Sequence, residues 1–509
     1  MAAKIILLVV FFGVMIIVGI YSRKHARNVN DFVLGGRSVG PWLTAFAFGT
    51  SYFSSVVFVG NAGQFGWKYG LASTWIGLGN ALIGSLLAWV ILGRRTRVMT
   101  NHLSASTMPE FFGKRFESRS IKITASVIAF VFLVPYTASI YNGLSRLFGM
   151  AFDIPYEVCV IVMAVLTGVY VIMGGYMATA INDFIQGIVM LGGISAVIMA
   201  VLNGKGGFLN AIGQLAAFTS DVPATQGQPG AFASFFGPDP VNLLSVIILT
   251  SLGTWGLPQM VHKFYTIKDE KSIKTGTIVS TIFAVIVAGG SYFLGGFARL
   301  FDNPSIHNEA GGIIYDGIIP HMLGSLPDIL VGIVVVLVLS ASMSTLSSLV
   351  LTSSSTLTLD FIKDNLVKNM SEKSQLIVMR VLIAFFIILS VVLALNPPTF
   401  IAQLMGISWG ALAGAFLAPF LYGLYWKGVT KAGVWASFAA GVGITVTNMF
   451  FKYLPNSIVA GAAAMAAGLV VVPVVSLFTP KMTRSSTASI FECYTETVIV
   501  SKKESLEEE

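Results

Sequence analysis

The sequence predicts an all-α integral membrane protein with thirteen transmembrane helices, two of them broken near the middle of the bilayer. Three observations lead to this prediction. Of the 509 residues, 55% are hydrophobic and only 11% charged, with a mean hydropathy of +0.81, whereas a soluble domain carries about a quarter charged residues. Uncharged runs of about 20 residues follow one another along the chain. Gly, Pro, Ser and Thr interrupt two of these runs at matching positions.

The spans are predicted in chain order at 4–22, 41–66, 71–93, 121–148, 155–175, 178–203, 240–261, 275–299, 328–358, 375–396, 399–426, 432–451 and 457–478. The first is expected to be retained, because no small-residue cleavage site follows it. Residues 1–478 are therefore predicted to form one transmembrane domain, with 4–22 as an additional N-terminal helix and 432–478 as two C-terminal helices. The charged tail, 479–509, is expected to be disordered and cytoplasmic.

The loops between spans alternate in charge, and this alternation predicts the topology. The loops after spans 1, 3, 7 and 9 are basic, whereas the 204–239 loop has a single lysine and the 300–327 loop is acidic. The basic residues are Arg23, Lys24, Arg27, Arg37, Arg94, Arg95, Arg97, Lys114, Arg115, Arg119, Lys263, Lys268, Lys271, Lys274, Lys363, Lys368 and Lys373. By the positive-inside rule, the N-terminus is outside and the C-terminus cytoplasmic, in a multi-pass protein of the cell membrane.

The remaining features exclude several classes of protein. The net charge of +8 is spread over loops, so no nucleic-acid partner is indicated, and Cys159 and Cys493 suggest neither a disulfide nor a metal site. The five histidines lie in or beside loops, and no nucleophile–base pair, metal motif or phosphate loop indicates an enzyme. They are His25, His102, His262, His307 and His321. The stretch TMPEFFGKRF (107–116) predicts a short amphipathic helix on the inner face.

Two spans are broken at corresponding places. The stretch FAFGTSYFSSVVFVGNAG breaks span 2, and LTSLGTWGLPQM breaks span 7. The residues at the breaks are Gly49, Thr50, Ser51, Ser54 and Ser55 in the first, and Gly253, Gly256 and Pro258 in the second. Each break opens a five-helix half, 41–203 or 240–426. Freed backbone carbonyls in hydrocarbon need partners, which a cation or polar substrate can supply, although Gly and Pro also merely kink membrane helices.

Span 9 carries an unusual run of hydroxyls, SASMSTLSSLVLTSSST (340–356). On a helical wheel Ser340, Ser344, Ser347, Ser348 and Ser355 share one side, with Thr345 and Thr352 at its margin, whereas Ser342 and Ser353 point elsewhere. Hydroxyls in membrane helices serve as small packing residues that bond back to their own backbone. A one-sided cluster without a carboxylate also suits Na⁺, since hard cations favour oxygen ligands.

One acidic residue, Asp183, falls early in span 6. Intramembrane carboxylates are costly and usually functional, which indicates a role in transport. The alternative is that Asp183 lies near the inner surface and caps a helix, as Asn182 could.

At these residues the chain resembles the sodium/solute symporter family, which includes the sodium/proline and pantothenate symporters and the sodium/glucose cotransporters. The resemblance is carried by FVLGGRSVGPWLTAFAFGTSYFSS (32–55), TMPEFFGKRF (107–116), GGYMATAINDFIQG (174–187), SMSTLSS (342–348) and ISWGALAGAFLAP (407–419). It implies a leucine-transporter-like core of five plus five helices in inverted repeats.

The resemblance also implies site residues. A sodium site would use the backbone carbonyls of Thr50, Phe53 and Ala341 and the hydroxyls of Ser344 and Thr345. Asp183, Ser347 and Ser348, together with Ser344, match a second sodium site found in some members, such as sialic acid symporters, or would line the exit path of the ion. The substrate would lie among Tyr52, Ser54, Ser55, Tyr136, Thr254, Trp255 and Pro258.

The expected function is Na⁺-coupled import of a small polar organic solute by alternating access, with an amino acid such as proline as the first candidate. Proline symporters have an acidic residue at Tyr52, a tryptophan at Thr250 and a tyrosine at Thr254, and FGWKYGL (65–71) resembles the pantothenate branch. A small carboxylate, such as pantothenate or a monocarboxylate, is therefore the alternative substrate. A proton-coupled carrier and a transporter-derived receptor or sensor are the rival functions. The partners implied are Na⁺, the solute and the bilayer, with no obligate protein partner.

Overall fold

The computed structural model describes residues 2–22, 28–367 and 369–494, and within those ranges the chain is helical, with no strand. The α-helices of the first half are α1 (Ala2–Ser22), α2 (Val29–Leu34), α3 (Pro41–Tyr52), α4 (Ala62–Tyr69), α5 (Thr74–Gly79), α6 (Arg94–His102), α7 (Met108–Arg115), α8 (Arg119–Phe152), α9 (Tyr156–Asn203) and α10 (Phe208–Ala216). Those of the second half are α11 (Pro240–Leu252), α12 (Pro258–Tyr265), α13 (Glu270–Ala284), α14 (Gly290–Gly295), α15 (Tyr315–Gly324), α16 (Asp328–Thr356), α17 (Glu372–Leu395), α18 (Ile401–Tyr425), α19 (Lys431–Phe451), α20 (Ser457–Phe478) and α21 (Arg484–Glu492).

Ten helical stretches in the described ranges are long and apolar enough to cross a membrane, or eleven if the bent pair α11 and α12 counts as one span. The difference from thirteen arises in two places. The stretch Val56–His102 counts once although two spans are predicted there, because helical segments follow one another without a loop across Gly70, whose φ is +59°. Tyr156–Val169 is a shorter apolar helix. An all-helical membrane protein is confirmed, whereas the number thirteen stays a prediction.

The predicted spans 5 and 6 form one element, α9, which turns sharply at Gly175. Its φ of +55° lies in the left-handed region that favours glycine. A Cβ added at Gly175 would also come within 2.9 Å of the Phe32 backbone oxygen. The turn therefore lets the two halves of α9 pack closely against α2 without a connecting loop.

The hydroxyl-rich helix α16 lies in the middle of the protein and does not face lipid. All of its residues from Leu337 to Thr356 are buried. In the neighbouring helix α18, 94% of the residues in the most apolar 18-residue stretch are buried as well. By contrast, only 22% of the residues in the corresponding stretch of α1 and 33% of those in α17 are buried, as expected for helices at the periphery. Every side of α16 thus has protein partners, so its hydroxyls are not restricted to one functional face.

Polar contacts tie together the loops that the sequence predicts to share one membrane face. The guanidinium of Arg37, after span 1, donates to the backbone carbonyls of Ala105 (2.5 Å) and Tyr265 (3.0 Å), in the regions after spans 3 and 7. At the other end of the bundle, Lys4 pairs with Asp328 at 2.9 Å. The loops after spans 1, 3 and 7 thus lie together, in agreement with the predicted alternation of loops between the two membrane faces.

Two segments outside the spans have different outcomes. The predicted helix at 107–116 is confirmed as α7, which Thr107 caps by accepting a hydrogen bond from the Glu110 N–H at 3.1 Å. The prediction of a disordered tail is wrong for α21, because its Ile490 and Phe491 side chains are buried against the protein. Residues 495–509 lie outside the described ranges.

Candidate functional site

The predicted break in span 2 is present where α3 ends. Tyr52 is its last residue, and Phe53 has extended backbone angles of φ −110° and ψ 132°. Helical structure resumes at Val56 as a π-helical turn. The carbonyl of Phe53 therefore points away from the helix and is available to another element, as required of a broken membrane helix.

Helix α16 packs its hydroxyls directly on this break. The Thr345 hydroxyl lies 3.1 Å from the Phe53 carbonyl and 3.1 Å from the Ala341 carbonyl. The Ser344 hydroxyl, on the preceding residue, donates to the Thr50 hydroxyl at 2.8 Å. The five residues predicted to form a sodium site thus meet where α16 packs on the break of α3. Thr50 departs from the prediction: it contacts Ser344 through its hydroxyl, and its carbonyl accepts the Phe53 N–H at 3.2 Å. We call this group the first cation site.

Other hydroxyls of α16 depart from the helical-wheel prediction. Ser342, predicted to point elsewhere, accepts a hydrogen bond from the Ser55 N–H at 3.2 Å and so supports the break. Ser347 and Ser355, predicted to lie on the functional side, bond back to carbonyls of their own helix at 2.9 and 3.2 Å. The wheel is misleading here because α16 is enclosed on all sides.

Asp183 is fully buried on α9, eight residues beyond the turn at Gly175. Because Asp183 lies inside α9 and not at a helix end, the alternative that it caps a helix is wrong. Neither of its carboxylate oxygens accepts a hydrogen bond from the described part of the chain. The Lys263 ammonium lies 3.6 Å from one of them, and this ion pair compensates the buried charge.

The charge pattern of the sequence places Lys263 among the basic loop residues and does not predict its burial. It lies on α12 and is only 1% exposed, and its neighbour His262 is buried too, so the loop placement is wrong for both. The Lys263 ammonium donates a hydrogen bond to the Ser348 hydroxyl at 2.9 Å. The sequence carries no signal for this burial, because a lysine just after an apolar run is equally consistent with a loop. The structure continues α12 from Pro258 to Tyr265, and Lys263 therefore lies inside the protein.

The second predicted break is also present. Helix α11 ends at Leu252, a short 3₁₀ turn covers Gly253–Trp255, and α12 begins at Pro258 with a bend of 41° between the two arms. Two predicted substrate residues of this break already have backbone partners: the Thr254 hydroxyl bonds the Gly84 carbonyl at 3.3 Å, and the Trp255 indole bonds the Ile83 carbonyl at 3.0 Å. They connect the break to the helix that follows α5.

The other predicted substrate residues come together around the break of α3. The Tyr52 hydroxyl donates to the Thr250 carbonyl of α11, and the Ser55 hydroxyl donates to a carbonyl of α8 at 2.8 Å. Ser54 accepts from the Val56 N–H at 3.2 Å. The Tyr136 ring packs edge-to-face on Trp409 with 5.6 Å between the ring centres.

Trp409, on α18, was not selected from the sequence, although it lies within ISWGALAGAFLAP. Its indole N–H is buried beside the Tyr136 hydroxyl and makes no hydrogen bond of good geometry in the described ranges. A buried indole N–H usually has a partner, so this donor is available to a bound polar molecule. We call the buried cluster of Tyr52, Ser54, Ser55, Tyr136 and Trp409 the central pocket.

Comparisons with known proteins all match this chain to transporters, over most of its length. Residues 32–441 match the family model of the sodium:solute symporter family. The osmoregulated proline transporter OpuE of Bacillus subtilis is 28% identical over 92% of this chain and 94% of its own length. The sodium/proline symporter of Staphylococcus aureus is 29% identical over 95% of this chain and 94% of its own.

Two solved structures show a similar fold. One is a Na⁺-coupled sialic acid symporter in a substrate-bound, outward-open state, with a TM-score of 0.73 and 17% identity over 95% of this chain and 99% of its own. The other is Mhp1, a nucleobase-cation-symport-1 family transporter in a closed conformation, with a TM-score of 0.55 and 15% identity over 90% of this chain and 97% of its own. The helices of this chain are thus arranged as in membrane transporters.

Proposed function

Because the chain belongs to the sodium:solute symporter family, we propose that it is a Na⁺-coupled secondary active symporter that imports a small polar organic solute. The observation that carries this proposal is the first cation site. Oxygens of Thr50, Phe53, Ala341, Ser344 and Thr345 converge there across the break of α3. Such a set suits a monovalent hard cation, because it offers oxygens without adding a full negative charge. Its relatives are transporters, in line with the expectation that the chain is not an enzyme.

The contacts at the first cation site favour sodium over a proton as the coupling ion. A proton site needs a group that titrates near neutral pH, commonly a carboxylate or a histidine. The first cation site contains hydroxyls and carbonyls only, and the nearby Asp183 is engaged with Lys263. Uptake of labelled substrate into proteoliposomes in sodium and in choline medium at one fixed pH tests this. We expect uptake only in sodium; equal uptake in both media would refute sodium coupling.

We propose an amino acid such as proline as the substrate class. The two curated relatives described above are proline transporters, and the central pocket offers a free indole donor at Trp409 to a carboxylate. Lys68, which would favour the small-carboxylate alternative, lies 5.1 Å from the centre of the Tyr315 ring and not against the central pocket. A thermal-shift screen of proline, other amino acids, pantothenate and monocarboxylates, each with and without Na⁺, distinguishes the candidates. Stabilisation by pantothenate but not by proline would overturn this assignment.

The two sites share the broken helix α3, and this sharing couples them. Thr50 and Phe53 contribute to the first cation site, and Tyr52, Ser54 and Ser55 contribute to the central pocket. An ion that orders the break therefore prepares the pocket, and each ligand raises the affinity for the other by the same factor. Alternating access then follows as rocking of one helix group against the other. The membrane potential contributes about 2.3 kcal/mol per charge per 100 mV to import.

We further propose the finer architecture expected from the sequence: thirteen spans, two inverted five-helix repeats at 41–203 and 240–426, and an N-terminus outside the cell membrane. Support comes from the two breaks, each near the start of its half, and from the contacts of Arg37 that join three basic loops at one end. Protection of an N-terminal tag from added protease in intact cells would contradict the proposed orientation.

A further inference from the structure

A second polar cluster lies beside the first cation site, on the same helix α16. The Lys263 ammonium is 2.9 Å from the Ser348 hydroxyl and 3.6 Å from an Asp183 carboxylate oxygen. The Ser348 hydroxyl lies in turn 3.1 Å from the Ser344 carbonyl and 3.1 Å from the Ser51 hydroxyl, next to the break of α3. A positive charge thus occupies the place where the sequence allows a second sodium.

The surroundings of the ammonium are those of a bound cation. Asp183 supplies the negative charge, Ser348 supplies a hydroxyl oxygen, and the ring of Tyr176 presents its centre 5.1 Å from the nitrogen. The Lys263 and Asp183 side chains are 2% and 0% exposed, so neither is compensated by bulk water. A sodium ion added beside the ammonium would place two positive charges against one carboxylate in a buried site, which is unfavourable.

We propose that Lys263 is a tethered cation that permanently fills the second cation position, so that this transporter binds one Na⁺ per chain. The inference rests on the proposed function for the first cation site and deepens it, because it sets the number of ions carried. Asp183 and Ser348 then hold the lysine in place of a transported ion. The lysine in turn connects the break at α12 to α16 through Ser348, so that both halves of the protein contact the cation region.

Equilibrium binding of radioactive sodium to the purified full-length chain tests the proposal, with Na⁺ as the only ligand. We expect one Na⁺ per chain for the native protein and two for Lys263→Met, which removes the charge and keeps the length of the side chain. Adding Asp183→Asn to Lys263→Met should return the number to one. Lys205→Met is the matched control: its ammonium bonds the Leu300 carbonyl at 2.7 Å, away from both sites, and its removal should leave the number at one.

The outcomes separate this inference from the proposed function. Two bound Na⁺ in the native protein, or one in Lys263→Met, would overturn the tethered cation. A third outcome is that the native protein binds no Na⁺, Lys263→Met binds one, and the double variant with Asp183→Asn binds none. This result would refute sodium at the first cation site and support the tethered cation. No bound Na⁺ in either protein would overturn both.

Stability supplies a second measurement in case the variant folds poorly. Without its lysine, Asp183 is left with an unpaired buried charge, so Lys263→Met and Lys263→Gln should be less stable than the native protein in choline. Sodium should restore them, because it replaces the missing ammonium, and their melting temperatures should rise more with Na⁺ than that of the native protein. Failure of both variants to fold in sodium as well as in choline would overturn the proposal.

Discussion

The Thr345 hydroxyl is the contact on which the first cation site depends most directly. It lies 3.1 Å from both the Phe53 and the Ala341 carbonyls and so joins the broken end of α3 to α16. Thr345→Val keeps the branched shape and volume of the side chain and removes only the oxygen. The substitution therefore separates the chemistry of the site from its packing.

The expected magnitude follows from the loss of one oxygen ligand to a charged ion. Hydrogen bonds to charged groups contribute about 1.5–3 kcal/mol, and ion–hydroxyl contacts should be similar. At about 1.4 kcal/mol per factor of ten, the Na⁺ concentration for half-saturation should rise roughly 10- to 150-fold. The Phe53 carbonyl also loses a partner in a buried place, which should lower the free energy of unfolding by about 1–3 kcal/mol.

The assay measures the binding of radioactive sodium, and the uptake of substrate into proteoliposomes, as the Na⁺ concentration is raised. Thr345→Ser retains the hydroxyl and should stay close to the native half-saturation. Thr356→Val is the matched control on the same helix, since the Thr356 hydroxyl is buried without a hydrogen-bond partner among the described residues. A folded Thr345→Val protein whose half-saturation lies within twofold of the native value would refute the reasoning.

Three further predictions concern the pocket, the pH dependence of stability and the loop contacts. Trp409→Phe keeps the ring against Tyr136 but loses the free N–H, so the KM for a carboxylate substrate should rise roughly tenfold, by about 1.5 kcal/mol. Burial raises the pKa of Asp316 from 3.8 to about 6, so the folded state keeps a proton that the unfolded chain loses between those values. The free energy of unfolding should therefore fall by about 3 kcal/mol as the pH rises through that window, and Asp316→Asn should abolish this dependence in thermal unfolding. Arg37→Lys loses the planar fork that reaches the Tyr265 carbonyl and should lower the free energy of unfolding by about 1.5–3 kcal/mol.

Each of these predictions has an outcome that contradicts it. An unchanged KM for Trp409→Phe would show that its N–H does not meet the substrate. A stability profile of Asp316→Asn parallel to that of the native protein between pH 4 and 6 would remove Asp316 as the titrating group. If Arg37→Lys has the same melting temperature as the native protein, the loop contacts do not depend on the guanidinium.

The breaks in two helices could be predicted from the sequence because their causes are local. Glycine lowers helix propensity and proline removes a backbone donor, whichever residues lie nearby. The break after Tyr52 and the bend before Pro258 therefore lie where the sequence predicts them. The roles of the hydroxyls on α16 were predicted less well. The helical wheel places Ser342 off the functional side and Ser347 on it, because it treats one face as buried, whereas this part of α16 is buried on every face.

Lys263 shows why the ionic part of the site could not be predicted from the sequence. A lysine just after an apolar run is equally consistent with a loop residue and with a buried one, and its composition and spacing do not distinguish the two. Only the packing of α12 against α9 and α16 brings Lys263 within 3.6 Å of Asp183, which is 80 positions earlier in the chain.

The sequence by itself determined the membrane class, the helical content, the two breaks and the oxygen-rich residues of the first cation site. These properties depend on local composition and on the cost of polar groups in hydrocarbon, which act on each segment separately. The tertiary structure decided which hydroxyls meet the break, that Asp183 is paired, and that the pairing charge is Lys263. These contacts join residues 80 to almost 300 positions apart, and distance in the chain carries no information about which buried charges and oxygens the packing brings together.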